Sequence, residues 1–164
     1  MQITLNLYPV PISMKGKLII VSRPVGNEFL EESIEFLKKE KISILVSALE
    51  RKEEIELGLL NEKEFCEKKG IQFFSFPMED RSVPESISSI KNFAYRLKEK
   101  IFAGESVGIH CRASIGRASL ISACILHAFG YDVDSTLKLL SESRKRTIPD
   151  TKEQEDWIRN YFHI

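Results

Sequence analysis

The chain has 164 residues, 43% of them hydrophobic and 29% charged, which suits one folded domain of residues 1–164 around one substantial core. Lysine plus arginine equals aspartate plus glutamate, 24 each, so overall charge gives no reason to expect a nucleic-acid partner. The longest aliphatic run is "LIIV", too short to span a membrane, and three widely spaced cysteines form no disulfide framework.

In chain order, the N-terminal "MQITLNLYPVPIS" lacks a basic segment and a continuous apolar core, so no signal peptide is expected and the cytoplasm is the expected compartment. "ITLNL" alternates apolar and polar residues like an edge strand. "KLIIV" and "ISILV" read as buried strands, and "NEFLEESIEFLKKEK" between them places Leu30, Ile34 and Leu37 on one helical face. "ERKEEIE" reads as a solvated helix face, and "LNEKEFCEKKG" as a short helix ended by glycine. "IQFFSF" is a further strand. Pro84 is expected to start a long helix in which Ile87, Ile90, Ala94, Leu97 and Ile101 keep helical spacing. "SVGIH" is a short central strand, and the apolar segment from Arg117 to Phe129 is a buried helix. Two more helices follow, near 133–145 and 151–162. Buried strands separated by helices predict an α/β fold, a mostly parallel central sheet flanked by helices.

The informative stretch is "HCRASIGRAS", residues 110–119. Cys111 falls at the carboxyl end of the "SVGIH" strand, where ligands bind in such folds. The loop to Arg117 is a strand-to-helix turn, so its amides and the helix N-terminus can converge on an anion. Arg117 can grip two phosphate oxygens at once, and the same positive field favours a cysteine thiolate able to attack phosphorus. The alternative for Cys111 is a small, inert core residue.

His-Cys-x5-Arg resembles the signature loop of the cysteine-dependent protein tyrosine phosphatases, and "HCRASIGRAS" is most similar to the small dual-specificity type. Within it, the pattern is close to the cyclin-dependent-kinase-associated group and its bacterial relatives. "SRPVGNEFLEESI", "ILVSALERKEE", "FPMEDRSVPES" and "RTIPDTKEQEDWI" also look like segments of that group. Rhodanese-like sulfurtransferases are the class most easily confused with it, but their loop usually has one residue fewer. The resemblance implies a dual-specificity phosphatase-like fold and hydrolysis of phosphomonoesters on a phosphorylated protein or peptide through a phosphocysteine, with no metal or other cofactor. Catalysis then falls to Cys111, Arg117 and Asp80. Asp80 is the general acid in the turn before Pro84, with Glu79 as its rival. The loop residues Arg112, Ala113, Ser114, Ile115 and Gly116 bind phosphate through their amides. Arg112 and Ile115 are expected at the pocket mouth. His110 orders the loop, and Gln154 supports the site or caps a helix beside Thr151 and Asp150. Arg23 is a candidate substrate contact, and Glu50 or Glu54 a candidate buttress for Arg117. A phosphoinositide phosphatase and a non-catalytic phosphate-binding protein remain as alternatives.

Two positions depart from that pattern. Many relatives carry glycine where Ser114 stands, and a serine there is strained if its φ is positive. Most have serine or threonine after the loop arginine, to hydrogen-bond the cysteine sulfur, and Ala118 cannot do so.

Overall fold

A computed structural model describes residues 2–164. Five strands form one sheet: β1 (Leu7–Val10), β2 (Lys17–Val21), β3 (Ile44–Ser47), β4 (Gln72–Ser75) and β5 (Ser106–His110). Their order is β1-β2-β5-β3-β4, with β1 antiparallel and the rest parallel. Seven helices accompany them: α1 (Leu30–Lys39), α2 (Arg51–Leu57), α3 (Glu62–Lys68), α4 (Ile87–Phe102), α5 (Arg117–Ala128), α6 (Val133–Arg144) and α7 (Lys152–Tyr161). This is the mixed α/β arrangement expected from the alternating strands and helices.

The two-residue repeat of the strands divides the core into two layers. Leu18, Ile20, Ile44, Val46, Val107 and Ile109 face α4–α7. Ile19, Val21 and Leu45 face α1 and α3, meeting Leu30, Ile34, Leu37 and Cys66. Ten consecutive residues of α5, Arg117–Leu126, are buried, so this helix lies inside the protein as its apolar sequence predicts. Gly108 in β5 has no room for a side chain, since a Cβ there would lie 2.9 Å from Val21 Cγ2. Among the described residues, no helix is long and apolar enough to cross a membrane.

Two boundaries differ from expectation. Ile3 and Leu5 are buried and Thr4 and Asn6 exposed, but pairing as a strand begins only at Leu7. Before it, Asn6 alone bonds Ser22. The long helix starts at Ile87, beyond Pro84, because the Ser86 hydroxyl accepts from the Ser89 amide at 3.2 Å and caps it there.

The topology gathers the chemistry-bearing segments. All four parallel strands run the same way, and β5 lies between β2 and β3. Their carboxyl ends therefore deliver Arg23 after β2, α2 after β3, Asp80 after β4 and Cys111 after β5 to one edge of the sheet.

Candidate active site

Cys111 follows the last residue of β5, and the chain then turns through residues 112–116 into α5. Among the described residues, the amides of 112–116 donate to no protein acceptor. They lead directly into the N-terminus of α5, where orphaned N–H groups carry partial positive charge. Unpartnered amides beside a helix N-terminus are an arrangement able to hold an anion.

Ser114 holds the left-handed conformation, φ +54°, which glycine would adopt freely. Its buried side chain offsets the strain. The hydroxyl donates to the Val21 carbonyl at 2.5 Å and accepts from the Cys111 amide at 3.3 Å, fastening the loop to β2. Gly116 packs so closely on Gln154 that a Cβ would lie 2.7 Å from its Oε1. Ile115 does not face the mouth. It is buried in the apolar layer that holds α4–α7, because an apolar side chain in a turn next to the core is better placed there than in water. Arg112 does reach the mouth, between two depressions of about 380 and 340 Å³. It pairs with Glu56 at 3.2 Å.

Arg117 is 1% exposed. Its Nη1 and Nη2 donate to the two carboxylate oxygens of Glu53 at 2.7 and 2.8 Å. Nη1 also reaches the Met78 carbonyl at 2.8 Å, and Nη2 lies 3.0 Å from Asp80 Oδ1. Burial works against the Arg117 charge, but Glu53, Cys111 and Asp80 outweigh it and raise its pKa above the ordinary value. Burial likewise opposes the Glu53 charge, and the bonds from Arg117 and from the Glu50 amide overcome it and lower its pKa. Arg117 thus meets Asp80 directly and feels the charge of Cys111 at the start of the loop.

His110 is fully buried. Its Nε2 lies 2.8 and 3.0 Å from the two oxygens of Glu62, and its Nδ1 3.3 Å from the Cys111 carbonyl. Both ring nitrogens face acceptors, which fixes the orientation of the ring.

The acid turn is braced from the other end of the chain. Arg81 donates to Asp150 at 2.9 Å, and Gln154 Nε2 donates to the Ser82 carbonyl at 2.9 Å. Gln154 also completes a capping box with Thr151. Capping and bracing the site are one role here. Arg23 donates to the Arg112 carbonyl at 2.6 Å. Neither Glu50 nor Glu54 buttresses Arg117. Glu53, between them, turns inward because Glu50 caps α2 and fixes the helix register. Cys66 and Cys124 are buried, and burial pushes both thiols far up. Cys66 lies in the apolar layer on the α1 side of the sheet, away from Cys111, and Cys124 is two helical turns beyond Arg117, about 10 Å along α5. Neither is placed to trap an oxidised Cys111. His127 packs edge-on against Tyr161 and Phe162. Among the described residues, no group of three or more metal-binding side chains occurs.

Sequence inspection passes over three residues of this site: Glu53, Glu62 and Arg144. Glu53 is hidden in a run of glutamates, and its only local signal is the three-residue spacing from Glu50. No pattern singles out Glu62, which is 48 residues from His110. Arg144, in "SRKR", donates to the Ser114 and Ala113 carbonyls at 2.9 and 3.2 Å.

The fold and loop are those of a cysteine-based dual-specificity phosphatase. The family described as "Polymorphic toxin system, DSP-PTPase phosphatase" matches residues 20–131, and the chain belongs to it. The chain is 26% identical to protein tyrosine phosphatase type IVA 3 of Bos taurus over 155 residues, covering 93% of this chain and 83% of that one. It is 30% identical to tyrosine-protein phosphatase CDC14 of Saccharomyces cerevisiae over 106 residues, 64% of this chain and 18% of the relative. A structure of kinase associated phosphatase (KAP), with serine replacing its catalytic-site cysteine, superposes with a TM-score of 0.89 at 18% identity. That match covers 98% of this chain and 96% of the other and shows a shared fold. The protein is a phosphoric monoester hydrolase of the protein tyrosine phosphatase class.

Replacing Glu53 tests the buried pair. Glu53→Gln keeps one acceptor for Arg117 but removes the countercharge, and about 1–3 kcal/mol of stability should be lost at neutral pH. Because the Glu53 pKa is lowered on folding, its contribution is complete above the ordinary value of 4.5 and disappears as pH falls through the lowered one. The difference in denaturation midpoint between wild type and variant should therefore stay constant above about pH 5.5 and shrink below pH 4.5, measured by urea unfolding.

Proposed function

We propose that the protein hydrolyses phosphorylated protein or peptide side chains through a phosphocysteine on Cys111. The observation that carries this is the row of unpartnered amides at residues 112–116, with Arg117 and Asp80 facing the same loop. In the first step the Cys111 thiolate attacks phosphorus while the loop amides and Arg117 hold the non-bridging oxygens. Asp80 gives its proton to the leaving oxygen as the ester bond breaks. In the second step Asp80 takes a proton from water, which attacks the phosphocysteine. Phosphate leaves and the thiolate is restored. An unpaired catalytic thiol is kept reduced most readily in a reducing compartment such as the cytoplasm. Among the described residues all three cysteines are free.

The rim favours a peptide over a phosphoinositide. The depression beside Arg112 is walled by Glu50, Glu53, Glu56, Glu79 and Asp80 against Lys52 and Arg112. A headgroup with several phosphates would meet net negative charge there, whereas a single phosphate reaches the cradle itself. The structure of PTPMT1 in complex with PI(5)P, TM-score 0.69 and 13% identity, shows that a related fold holds such a lipid. Its resemblance to this chain is one of fold.

The test is steady-state hydrolysis by one chelator-treated preparation. Wild type should cleave a phosphotyrosine peptide faster than a phosphoinositide. Cys111→Ser should have no turnover but still bind phosphate, because the amide cradle remains. Asp80→Asn should lower kcat for alkyl phosphates by about 10²–10⁴-fold, much less for a nitrophenyl ester, and remove the basic limb of the kcat/KM profile. If Glu79→Gln gives that pattern instead, Glu79 is the acid. Activity persisting in Cys111→Ser would overturn the thiolate mechanism.

Ala118 sets a second expectation. It is fully buried, and no hydroxyl among the described residues donates to the Cys111 sulfur. Ser114 is committed to Val21, and the Ser119 hydroxyl is buried without a partner. A hydrogen bond to a charged group is worth about 1.5–3 kcal/mol, or about 10- to 100-fold in rate. Its absence should slow release of the thiolate, and so hydrolysis of the phosphocysteine, more than its formation. Stopped-flow assays should show a burst of phenol. Ala118→Thr should raise kcat and shrink the burst with little change in kcat/KM. No burst and an unchanged kcat in Ala118→Thr would show that the second step is not limiting.

A further inference from the structure

The cradle works only if its amides point inward, and nothing in the loop's own sequence forces them to. In a trans peptide the carbonyl of one residue and the amide of the next point to opposite sides. Whatever draws the carbonyl outward therefore turns the following amide inward. Three successive carbonyls of this loop are drawn outward by arginines from distant parts of the chain. Arg23 Nη1 donates to the Arg112 carbonyl at 2.6 Å. Arg144 Nη2 donates to the Ala113 carbonyl at 3.2 Å, and its Nε to the Ser114 carbonyl at 2.9 Å. The Arg144 guanidinium is itself fixed by stacking over Tyr8 of β1, 4.2 Å from the ring centroid.

We propose that Arg23 and Arg144 are positioning residues for the phosphate cradle. Arg23 turns the Ala113 amide inward. Arg144 turns the amides of Ser114 and Ile115. Neither is placed as a phosphate ligand. Arg144 spends two of its N–H donors on the outer side of the loop, and Arg23 spends one there. The two also add positive charge behind the loop. Because they belong to β2's exit and the end of α6, they tie the loop to two separate elements. The inference rests on the loop being the phosphate site, as proposed above.

The experiment is a titration of nitrogen-15-labelled protein with inorganic phosphate, followed by amide shifts, for wild type, Arg23→Met, Arg144→Met and Arg144→Lys. Hydrolysis of nitrophenyl phosphate is measured on the same samples. Losing a charged donor should weaken phosphate binding about tenfold or more in Arg144→Met. The phosphate-induced shifts of Ser114 and Ile115 should shrink while that of Ala113 remains. Arg23→Met should show the converse, a loss at Ala113 alone. Arg144→Lys, with donors on one nitrogen, should recover part of the affinity, and with Arg23→Met it keeps the test decisive if Arg144→Met does not fold. A purely structural role would lower the melting temperature and diminish all shifts together, or leave phosphate affinity within about twofold of wild type, and either result overturns the proposal. Wild type that turns over substrate beside variants with normal phosphate binding overturns the positioning role alone. Wild type that binds phosphate without hydrolysing any ester, beside variants with the residue-specific losses, supports the positioning role and overturns the catalytic one. Wild type that binds no phosphate overturns both.

Discussion

Arg117 carries a full positive charge inside the protein, at the first turn of the most buried helix, and the surrounding structure is arranged to neutralise it. A guanidinium at this depth is tolerable only with a countercharge and strong acceptors, which here meet both terminal nitrogens and leave Nε without a protein partner. Glu53 supplies two carboxylate oxygens from α2, and the Met78 carbonyl a third acceptor. This requirement fixes how α2 sits against the end of β3, and how the turn after β4 approaches the loop. Asp80 then arrives on the open side of the same guanidinium. In the mechanism proposed above, the cation that holds the phosphate also holds Asp80 in place.

Around that centre, the loop is controlled almost entirely from outside. The Cys111 carbonyl faces His110, and the next three carbonyls face Arg23 and Arg144. His110 is held in turn by Glu62, and Arg144 by Tyr8. The turn becomes a fixed array of dipoles because the carbonyls of Cys111 to Ser114 each have a partner. Such preorganisation is what makes backbone amides effective toward developing charge, since they need not reorient during reaction.

The two departures of this loop have different physical characters. Ser114 occupies a left-handed position where a Cβ is disfavoured, but its hydroxyl finds two buried partners and converts the strained residue into a fastening to β2. Ala118 has no such offset. It leaves the sulfur without a hydroxyl donor, and in the mechanism proposed above its effect falls on the step in which the thiolate departs.

The amino-acid sequence by itself determined the elements and the loop. β5 and α5 are legible because apolar periodicity and β-branched runs act within a few residues. The motif His110-Cys111-x5-Arg117 is equally local. The positive φ at Ser114 is only a condition that the sequence raises, and the structure settles it. Tertiary structure decided which distant side chains complete the site. "ERKEEIE" offers four glutamates, and only the register of α2, set by the Glu50 cap, together with the fold that brings α2 to the loop, aims Glu53 at Arg117, 64 residues away. Glu62 meets His110 across 48 residues, Arg23 meets the loop across 89, and Arg144 across 30. Such pairs leave no periodic trace in the chain. They exist because four parallel strands end at one edge of the sheet, and a charge or carbonyl buried there must take its partner from whichever element the fold brings within about 3 Å.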